Sequence, residues 1–232
     1  MGKKLRSLKL ADDCLIIFAK EPKWGRVKTR LKTVLSEQQC VNLYKAFLRD
    51  TYSLSDSLTP LSKILAYDSL KEEPQYLKKI FRKYYFYKQE GNDLGTRMHN
   101  AFLWGKRSGA KRMVIIGSDS PTLPVQYIQQ AFKSLTAHDV VLGPSRDGGY
   151  YLIGLIRPDV DLFKDVAWSL DQVFKKTVEN AQKLKMRVHI LKEWHDVDDA
   201  ESLKYLQKKL SRMNKGRAFW TRKFLNGLKI IK

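Results

Sequence analysis

The sequence predicts an α/β domain with a mainly parallel sheet and helices on both faces. Apolar runs of strand length alternate with amphipathic segments of helix length almost from end to end. A chain of 232 residues with 43% hydrophobic content is long enough to bury the core of one large domain. In sheets of this kind, ligands bind beyond the carboxyl ends of the strands.

The strands are recognised as short apolar or aromatic runs. The predicted strands are Cys14–Ala19, Lys63–Tyr67, Tyr84–Tyr87, Met113–Ile116, Val140–Leu142, Tyr151–Ile156 and Val188–Leu191. Between them, the helices carry start signals. Ser36 with Gln39 and Ser169 with Gln172 form capping boxes, and Asp199 is the expected cap of the last helix. The predicted helices run from Ser36 to about Leu54, from Pro74 through Phe81, over Leu94–Lys106 and Val125–Leu135, from Ser169 to about Lys185, and onward from Asp199.

Lysine and arginine are unevenly distributed along the chain. The formal net charge is +20, yet ten of the 44 basic residues lie between Ser202 and Lys232, where no Asp or Glu occurs. Half of the net charge therefore belongs to residues 202–232. We expect a domain over residues 1–210 and a basic C-terminal extension over 211–232. The remaining body is still basic, which favours anionic ligands such as nucleotides.

Several classes of protein are not expected. Cys14 and Cys40 lie in a predicted strand and helix, and the sequence has no disulfide framework or zinc-ligand spacing, which fits a reducing cytosol. The N-terminus lacks the apolar run of a signal peptide, and no apolar run is long enough to span a membrane. No nucleic-acid-binding module is recognisable, so no nucleic-acid partner is expected. The expected location is cytoplasmic.

The loop after the first strand contains Lys20, Gly25, Lys28 and Arg30. Basic side chains and backbone N–H groups at this place bind phosphate in many α/β enzymes. Arg30 can bind a phosphate through two parallel hydrogen bonds, whereas Lys20 and Lys28 act as point charges. We therefore expect this loop to bind the phosphates of a nucleotide. The alternative is a basic surface turn, because the loop matches neither the P-loop nor the G-x-G-x-x-G pattern.

Carboxylates follow two predicted strands and indicate a metal site. Asp119 comes directly after Met113–Ile116, and Asp196 and Asp198 follow the last strand. Mg²⁺ is usually held by one or two carboxylates together with water and substrate phosphate. Asp119 with Asp196 or Asp198 would hold Mg²⁺ or Mn²⁺ against a nucleotide. The alternatives are an Asx-turn at Asp119 and helix capping by the later aspartates.

Two further segments are candidates for substrate binding. Asp147, Gly148, Gly149 and Tyr150 form a tight turn that could be the floor for a sugar or an acceptor, with Trp168 near it. The alternative is a β-hairpin, for which Asp-Gly is a strong signal.

The second segment is the start of the helix Leu94–Lys106. Gly95 and Arg97 lie in its first turn and could bind the base, ribose or phosphate of a nucleotide. The alternative is an ordinary helix start, with Asn92 or Asp93 as its cap.

These motifs, taken together and in order, resemble the family of nucleotide-diphospho-sugar transferases also labelled arsenosugar-biosynthesis glycosyltransferases. The resemblance covers about residues 13–210. The matching segments are Phe18-Ala19-Lys20 with Pro22, Gly25 and Val27–Leu31, then Asp93–Met98, Gly117–Pro121, Gly143-Pro144 with Asp147–Leu155, Trp168-Ser169 and Asp196-Val197-Asp198. Two positions depart from the family pattern, because Leu170 and Asp199 each stand where the family has threonine.

The resemblance implies a glycosyltransferase-A fold, a single Rossmann-like domain that uses a divalent metal. The family is similar to phospholactate guanylyltransferase and to the molybdenum-cofactor nucleotidyltransferases. In those relatives the basic loop after the first strand binds triphosphate. Carboxylates that match Asp119 and the segment Asp196–Asp198 would hold the metal.

The leading hypothesis is a metal-dependent transferase that uses a nucleotide-diphosphate sugar and an acceptor that the sequence does not identify. Asp119 and Lys28 would act in catalysis, and the metal would neutralise charge on the leaving diphosphate. The alternative enzyme is a nucleotidyltransferase. In that case the same site binds a nucleotide triphosphate, a phosphorylated acceptor attacks the α-phosphorus, and pyrophosphate leaves.

The tail supports a hypothesis of another class, peripheral binding to a membrane surface through residues 211–232. Its apolar side chains interleave with Lys and Arg, as in an interfacial amphipathic helix. Gly216 and Gly227 interrupt a continuous helix. The alternatives are a solvated extension and packing against the body.

Overall fold

A computed structural model describes residues 9–70, 73–168 and 172–228 as an α/β fold around one mixed sheet. Its seven strands lie in the order β3-β2-β1-β4-β6-β5-β7. The strands are β1 Asp13–Lys20, β2 Ser62–Asp68, β3 Tyr85–Lys88, β4 Arg112–Gly117, β5 Val140–Pro144, β6 Tyr150–Leu155 and β7 Val188–Ile190. The helices are α1 Glu37–Asp56, α2 Gln75–Ile80, α3 Leu94–Arg107, α4 Val125–Ser134, α5 Val173–Lys183, α6 Ala200–Arg212 and α7 Phe219–Gly227. The predicted fold class is confirmed.

The strand directions place most strand ends at one edge of the sheet. β1 is parallel to β2 and β4, β2 to β3, and β5 to β7, while β6 is antiparallel to β4 and β5. Six strands therefore share one direction, and their carboxyl ends meet at the same edge. The loops that follow β1, β2, β3, β4 and β7 converge there. Since β6 runs the other way, its first residue, Tyr150, also lies at this edge.

Both faces of the sheet are covered by apolar side chains, as the period-two alternation along a strand requires. In β1, Leu15 and Ile17 face the core cluster that includes α1 and α4. Cys14 and Ile16 face the opposite cluster, which includes α3 and α5. A sheet covered in this way is rigid, so the loops at its edge are held at fixed positions. Among the described residues, no helix combines the length and the apolar character needed to cross a membrane.

The capping predictions have different outcomes. Ser36 with Gln39 caps α1, and Asp199 accepts a hydrogen bond from the Ser202 N–H at the start of α6, as predicted. The helix predicted from Ser169 begins later, because α5 starts only at Val173 and its N-cap, Gln172, forms no side-chain cap hydrogen bond. Instead, the N–H of Phe174 donates to Gly148 O at 2.9 Å, so the β5–β6 turn satisfies a donor of the first turn. Ser169, the predicted cap, lies outside the described residues.

The described part of the C-terminal segment packs against the body of the protein, while residues 229–232 of the predicted extension lie outside the described residues. Ala218 and Leu225 join Phe47 of α1 and Leu206 of α6 in a third apolar cluster. Phe219 remains 51% exposed. The buried side chains of α7 therefore contact the body, which is one of the alternatives that the sequence left open.

Candidate active site

A cleft of about 740 Å³ lies at the edge where the strand ends converge. Its walls come from the loops after β1, β3 and β4, from the start of β6, and from the segment between β7 and α6. The predicted site residues that line it are Lys20, Lys28, Arg30, Arg97, Asp119, Tyr150, Asp196 and Asp198. The parallel sheet thus brings together residues that are up to 178 positions apart in the chain.

Lys28 lies at the centre of the charged part of the cleft. Its side chain is only 2% exposed, and its ammonium group forms ion pairs with Asp119 and, at 3.0 Å, with Asp198. It also donates a hydrogen bond of 2.7 Å to Val197 O. Burial alone lowers the pKa of Lys28, but the two carboxylates outweigh burial and raise it well above its ordinary value. Lys28 is therefore a permanent cation that joins the β1 loop to both carboxylates.

The backbone at Lys28 is strained. Its φ of 51° and ψ of 38° lie in the left-handed region, which a lysine rarely adopts. This conformation directs the side chain inward between Asp119 and Asp198. Strain of this kind is concentrated at functional sites, where the surrounding contacts maintain it.

The three candidate metal ligands differ in their exposure. The side chains of Asp119 and Asp198 are 40% and 43% exposed, so their carboxylates are open to the cleft. Asp196 lies behind them and accepts a hydrogen bond from Ser120 Oγ. Burial, reinforced by the negative charges of Asp119 and Asp198, raises the pKa of Asp196 to about 7.

The donor set fits a hard divalent cation. Asp119 and Asp198 offer carboxylate oxygens to the cleft, and oxygen is the ligand that Mg²⁺ and Mn²⁺ prefer. Within the described ranges, no three His, Cys, Asp or Glu side chains form a ready metal cage. A cation here would therefore need substrate phosphate and water to complete its coordination, as is usual for Mg²⁺.

Lys20 and Arg30 are the free cations of the cleft. Both side chains are exposed, and neither forms an ion pair with another residue in the described part of the chain. Free cationic side chains beside a cleft attract anions and contact them directly. This arrangement suits the phosphates of a nucleotide.

A second charged group, which the sequence did not indicate, surrounds Asp68 at the end of β2. Arg26 forms an ion pair with it at 3.1 Å, and Arg97 approaches it at 3.7 Å. Arg97 also donates from Nε to Gly91 O at 3.0 Å. Asp68 could have been found from its position, because it ends a strand at the ligand-binding edge.

The other predicted site residues lie away from the cleft lining. Asp147, Gly148 and Gly149 form the hairpin turn between β5 and β6, in which Asp147 accepts a hydrogen bond of 3.2 Å from the Gly149 N–H. Gly25 adopts a φ of 71° in the loop after β1. Gly95 and Trp168 line a separate cavity of about 550 Å³.

Gly95 is needed because the indole of Trp168 lies directly against it. A Cβ added at Gly95 would be only 2.4 Å from the Trp168 ring. We expect Gly95→Ala to lower the free energy of unfolding by about 1–3 kcal/mol, because the half-buried ring must move. Urea unfolding followed by tryptophan fluorescence measures this loss. Gly227→Ala is the control, since nothing lies within 4 Å of its added Cβ. Equal stability of both variants would contradict this role of Gly95.

His195 is buried and belongs to an aromatic cluster with the half-buried Trp194 and the exposed Tyr205, next to the carboxylate segment. Its ring stacks on Trp194 with centroids 5.0 Å apart and meets the edge of Tyr205 at 4.5 Å. Burial lowers the pKa of His195 to about 4, and the positive charges of Lys209 and Arg146 contribute. The imidazole is therefore neutral at physiological pH.

This lowered pKa makes stability depend on pH. An unfolded histidine has a pKa of about 6.5, so between pH 6.5 and 4 the unfolded chain binds more protons than the folded one. His195 therefore lowers stability as the pH falls through this window, whereas Asp196, whose raised pKa makes the folded chain bind more protons, acts in the opposite direction. Between pH 7.5 and 5, we expect the change in stability of His195→Phe to be about 1–2 kcal/mol more favourable than that of the wild type. Urea unfolding at both pH values tests this. An equal change in both proteins would mean that His195 makes no such contribution.

Comparison with known proteins agrees with this architecture. A putative nucleotide-diphospho-sugar transferase from Desulfovibrio desulfuricans G20, known from its crystal structure, is 30% identical, with a TM-score of 0.86. The match covers 93% of this chain and 94% of that one. The family described as "Uncharacterized protein conserved in bacteria (DUF2064)" matches residues 56–170. The chain belongs to the DUF2064 family.

Proteins similar to this DUF2064 protein include nucleotidyltransferases. The 2-phospho-L-lactate guanylyltransferase of Methanocaldococcus jannaschii is 28% identical over 164 residues, which cover 71% of this chain and 68% of that enzyme. A CMP:2-keto-3-deoxy-manno-octonic acid synthetase complexed with CTP has a TM-score of 0.55 at 12% identity and covers 87% of this chain and 99% of that one. The latter likeness concerns the fold alone. The DUF2064 protein thus belongs to the superfamily of nucleotidyltransferases and nucleotide-sugar transferases.

Proposed function

We propose that this protein is a metal-dependent nucleotidyltransferase that acts on a phosphorylated acceptor. The observation that carries the proposal is the arrangement of Lys28, Asp119 and Asp198 beside the free cations Lys20 and Arg30 in one cleft. The 28% identical guanylyltransferase supports nucleotidyl transfer as the reaction.

In this reaction an oxygen of the acceptor attacks the α-phosphorus of a nucleotide triphosphate. A new phosphorus–oxygen bond forms while the bond between the α-phosphorus and the bridging oxygen breaks, and pyrophosphate leaves. Lys20 and Arg30 bind and orient the phosphate chain. Lys28 holds Asp119 and Asp198 in position, and these two carboxylates would hold Mg²⁺ or Mn²⁺. When bound, the metal supplies positive charge that stabilises the leaving pyrophosphate.

Transfer from a nucleotide-diphosphate sugar is the second candidate. The similarity to the putative nucleotide-diphospho-sugar transferase of Desulfovibrio, which extends over 93% of this chain, favours sugar transfer. The same residues serve both reactions, because each requires a bound diphosphate and a charge-stabilised leaving group. The products distinguish them, since only nucleotidyl transfer releases pyrophosphate.

A thermal-shift panel tests the proposal. The wild type is heated with Mg²⁺ or Mn²⁺ and each of the four nucleotide triphosphates or the common nucleotide-diphosphate sugars. A ligand at about 100 times its dissociation constant should add about 2.7 kcal/mol of stability. We expect metal-dependent stabilisation by a triphosphate, lost in Asp119→Ala. The control is Asp12→Ala, which removes an exposed carboxylate paired with Lys111 at 3.0 Å near the opposite edge of the sheet.

The outcomes separate the candidates. Stabilisation by a triphosphate, followed by pyrophosphate release with a panel of phosphorylated acceptors, supports nucleotidyl transfer. Stabilisation confined to a nucleotide-diphosphate sugar overturns it in favour of sugar transfer. If no ligand stabilises the protein, both proposals fail.

A further inference from the structure

Tyr44 connects the two strand ends that carry the charged residues of the cleft. It lies on α1, is buried, and reaches between β1 and β4. Its hydroxyl oxygen accepts a hydrogen bond of 2.9 Å from the Lys20 N–H and lies 2.8 Å from Ser118 Oγ. Both Tyr44 and Ser118 line the cleft.

The available partners allow two directions for the hydrogen bond between the two hydroxyls. Burial, with the nearby charge of Asp119, raises the pKa of Tyr44, so its hydroxyl keeps its proton. The Lys20 N–H can only donate, so the Tyr44 proton must go elsewhere. Among the described residues, its only acceptor is Ser118 Oγ. The reverse direction, in which Ser118 donates to Tyr44, leaves the Tyr44 proton without an acceptor instead, so in either direction one hydroxyl proton of the pair has no partner among the described residues.

When Tyr44 donates to Ser118, the proton left without a partner is that of Ser118. In that direction its Oγ accepts from Tyr44, and no other residue of the described ranges accepts the hydrogen of Ser118. Ser118 is 2% exposed and lies between Gly117 and Asp119 at the end of β4, where all three line the cleft. A buried, oriented donor beside a charged cleft is suited to an oxygen atom of a ligand.

We propose that Ser118 is a further binding residue of this cleft, which donates its hydroxyl proton to a phosphate oxygen of the bound nucleotide, and that Tyr44 is the residue that positions it. This inference rests on the proposed function, because it requires a phosphate-bearing ligand in the cleft. It adds a hydroxyl donor to the cationic side chains and links that donor to the backbone of the phosphate-binding loop through Lys20.

The experiment measures the binding of inorganic tripolyphosphate with Mg²⁺ by calorimetry. This probe contains a phosphate chain without a base, so the result does not depend on which nucleotide the protein uses. We expect Ser118→Ala to weaken binding about tenfold, the value of one hydrogen bond to a charged group. Tyr44→Phe should weaken binding about threefold, since Ser118 stays but loses its orientation. The double variant should bind no more weakly than Ser118→Ala.

A matched pair of residues provides the control. Tyr84 and Ser55 are joined by the same contact, with their hydroxyl oxygens 2.8 Å apart, and neither lines the cleft. Tyr84→Phe and Ser55→Ala should lose stability as the cleft variants do, while the dissociation constant for tripolyphosphate stays unchanged. If Tyr44 had only a structural role, Tyr44→Phe would lower the melting temperature in the same way but would leave the dissociation constant for tripolyphosphate unchanged.

Three results would overturn the inference, at different levels. Unchanged binding in both Ser118→Ala and Tyr44→Phe removes the role of Ser118, and the proposed function stands. Additive losses in the double variant remove the positioning role of Tyr44. A wild type that binds neither tripolyphosphate nor any nucleotide of the thermal-shift panel overturns the proposed function itself.

Discussion

Lys28→Met is expected to reduce turnover about a hundredfold or more, an effect comparable to the loss of one preorganised donor at an active site. The Lys28 ammonium group contacts Asp119, Asp198 and Val197 O at once. Without it, the two carboxylates repel each other, and the phosphate-binding region loses a permanent positive charge. Pyrophosphate release by wild type and variant, under identical saturating conditions, measures the loss.

The same substitution should also lower stability. Removing one member of a buried ion pair costs about 3–5 kcal/mol. The two carboxylates paired with Lys28, those of Asp119 and Asp198, belong to side chains that are 40% and 43% exposed. Because water can solvate them when the ammonium group is removed, we expect a smaller loss of about 1–3 kcal/mol. Urea unfolding of both proteins measures it. The loss of turnover must persist at temperatures where the variant is fully folded.

Lys32→Met is the matched control. Lys32 lies in the 3-10 turn Thr29–Thr33 that follows Lys28, but its side chain is 40% exposed and pairs with Glu37 at the protein surface. An exposed pair contributes about 0–1 kcal/mol, so this variant should keep nearly full turnover and stability. If Lys28→Met retained more than about a tenth of wild-type turnover, the central role of Lys28 would be wrong.

The sequence predicted which strands and loops form this site better than it predicted the contacts between their side chains. The alternating elements and the rule that ligands bind at strand ends placed the β1 loop, Asp119 and the segment Asp196–Asp198 at one edge. The partners of Lys28 could not be predicted in this way. Lys28 was expected to bind phosphate, but Asp198, 170 positions away, is one of its ion-pair partners. Sequence spacing carries no information about such a distant contact.

Tyr44 shows a second limit of sequence reasoning. On the helical pattern of α1 it is simply one more core-facing position, and its ring does pack in the core cluster. The function of its hydroxyl depends on partners 24 and 74 residues away. The hairpin at Asp147 shows the reverse case. Its local Asp-Gly signal correctly indicated the turn, because hairpin geometry is set by the residues of the turn itself.

One buried carboxylate contributes to the attachment of α7, in addition to its apolar packing against the body. The first N–H groups of a helix lack partners within the helix, and α7 has no side-chain cap of its own. Asp50 of α1 supplies the acceptors instead. It accepts from the N–H groups of Trp220 and Thr221 at 3.0 and 2.8 Å, and from Thr221 Oγ1 at 2.6 Å.

Asp50→Ala is therefore expected to lower the free energy of unfolding by about 3 kcal/mol, since three hydrogen bonds are lost and buried donors are left without acceptors. Thr221→Val keeps the shape of the side chain and removes only the hydroxyl, so it should cost about 1 kcal/mol. Urea unfolding of both variants, with limited proteolysis of the C-terminal segment, measures the graded loss. Asp56→Ala is the control, because its side chain lies on the same helix and is 39% exposed.

Detachment of α7 should also weaken ligand binding in the cleft. Arg217, just before α7, donates to the carbonyl oxygens of Thr122 and Leu123 at 3.3 and 3.1 Å, directly after the loop that carries Asp119. If α7 holds Arg217 in place, Asp50→Ala should weaken binding of metal and nucleotide as well as stability, whereas Thr221→Val should change binding little. An ordinary surface substitution changes stability by no more than about 0.5 kcal/mol. If Asp50→Ala stayed within that range of the wild type, apolar packing alone would attach α7.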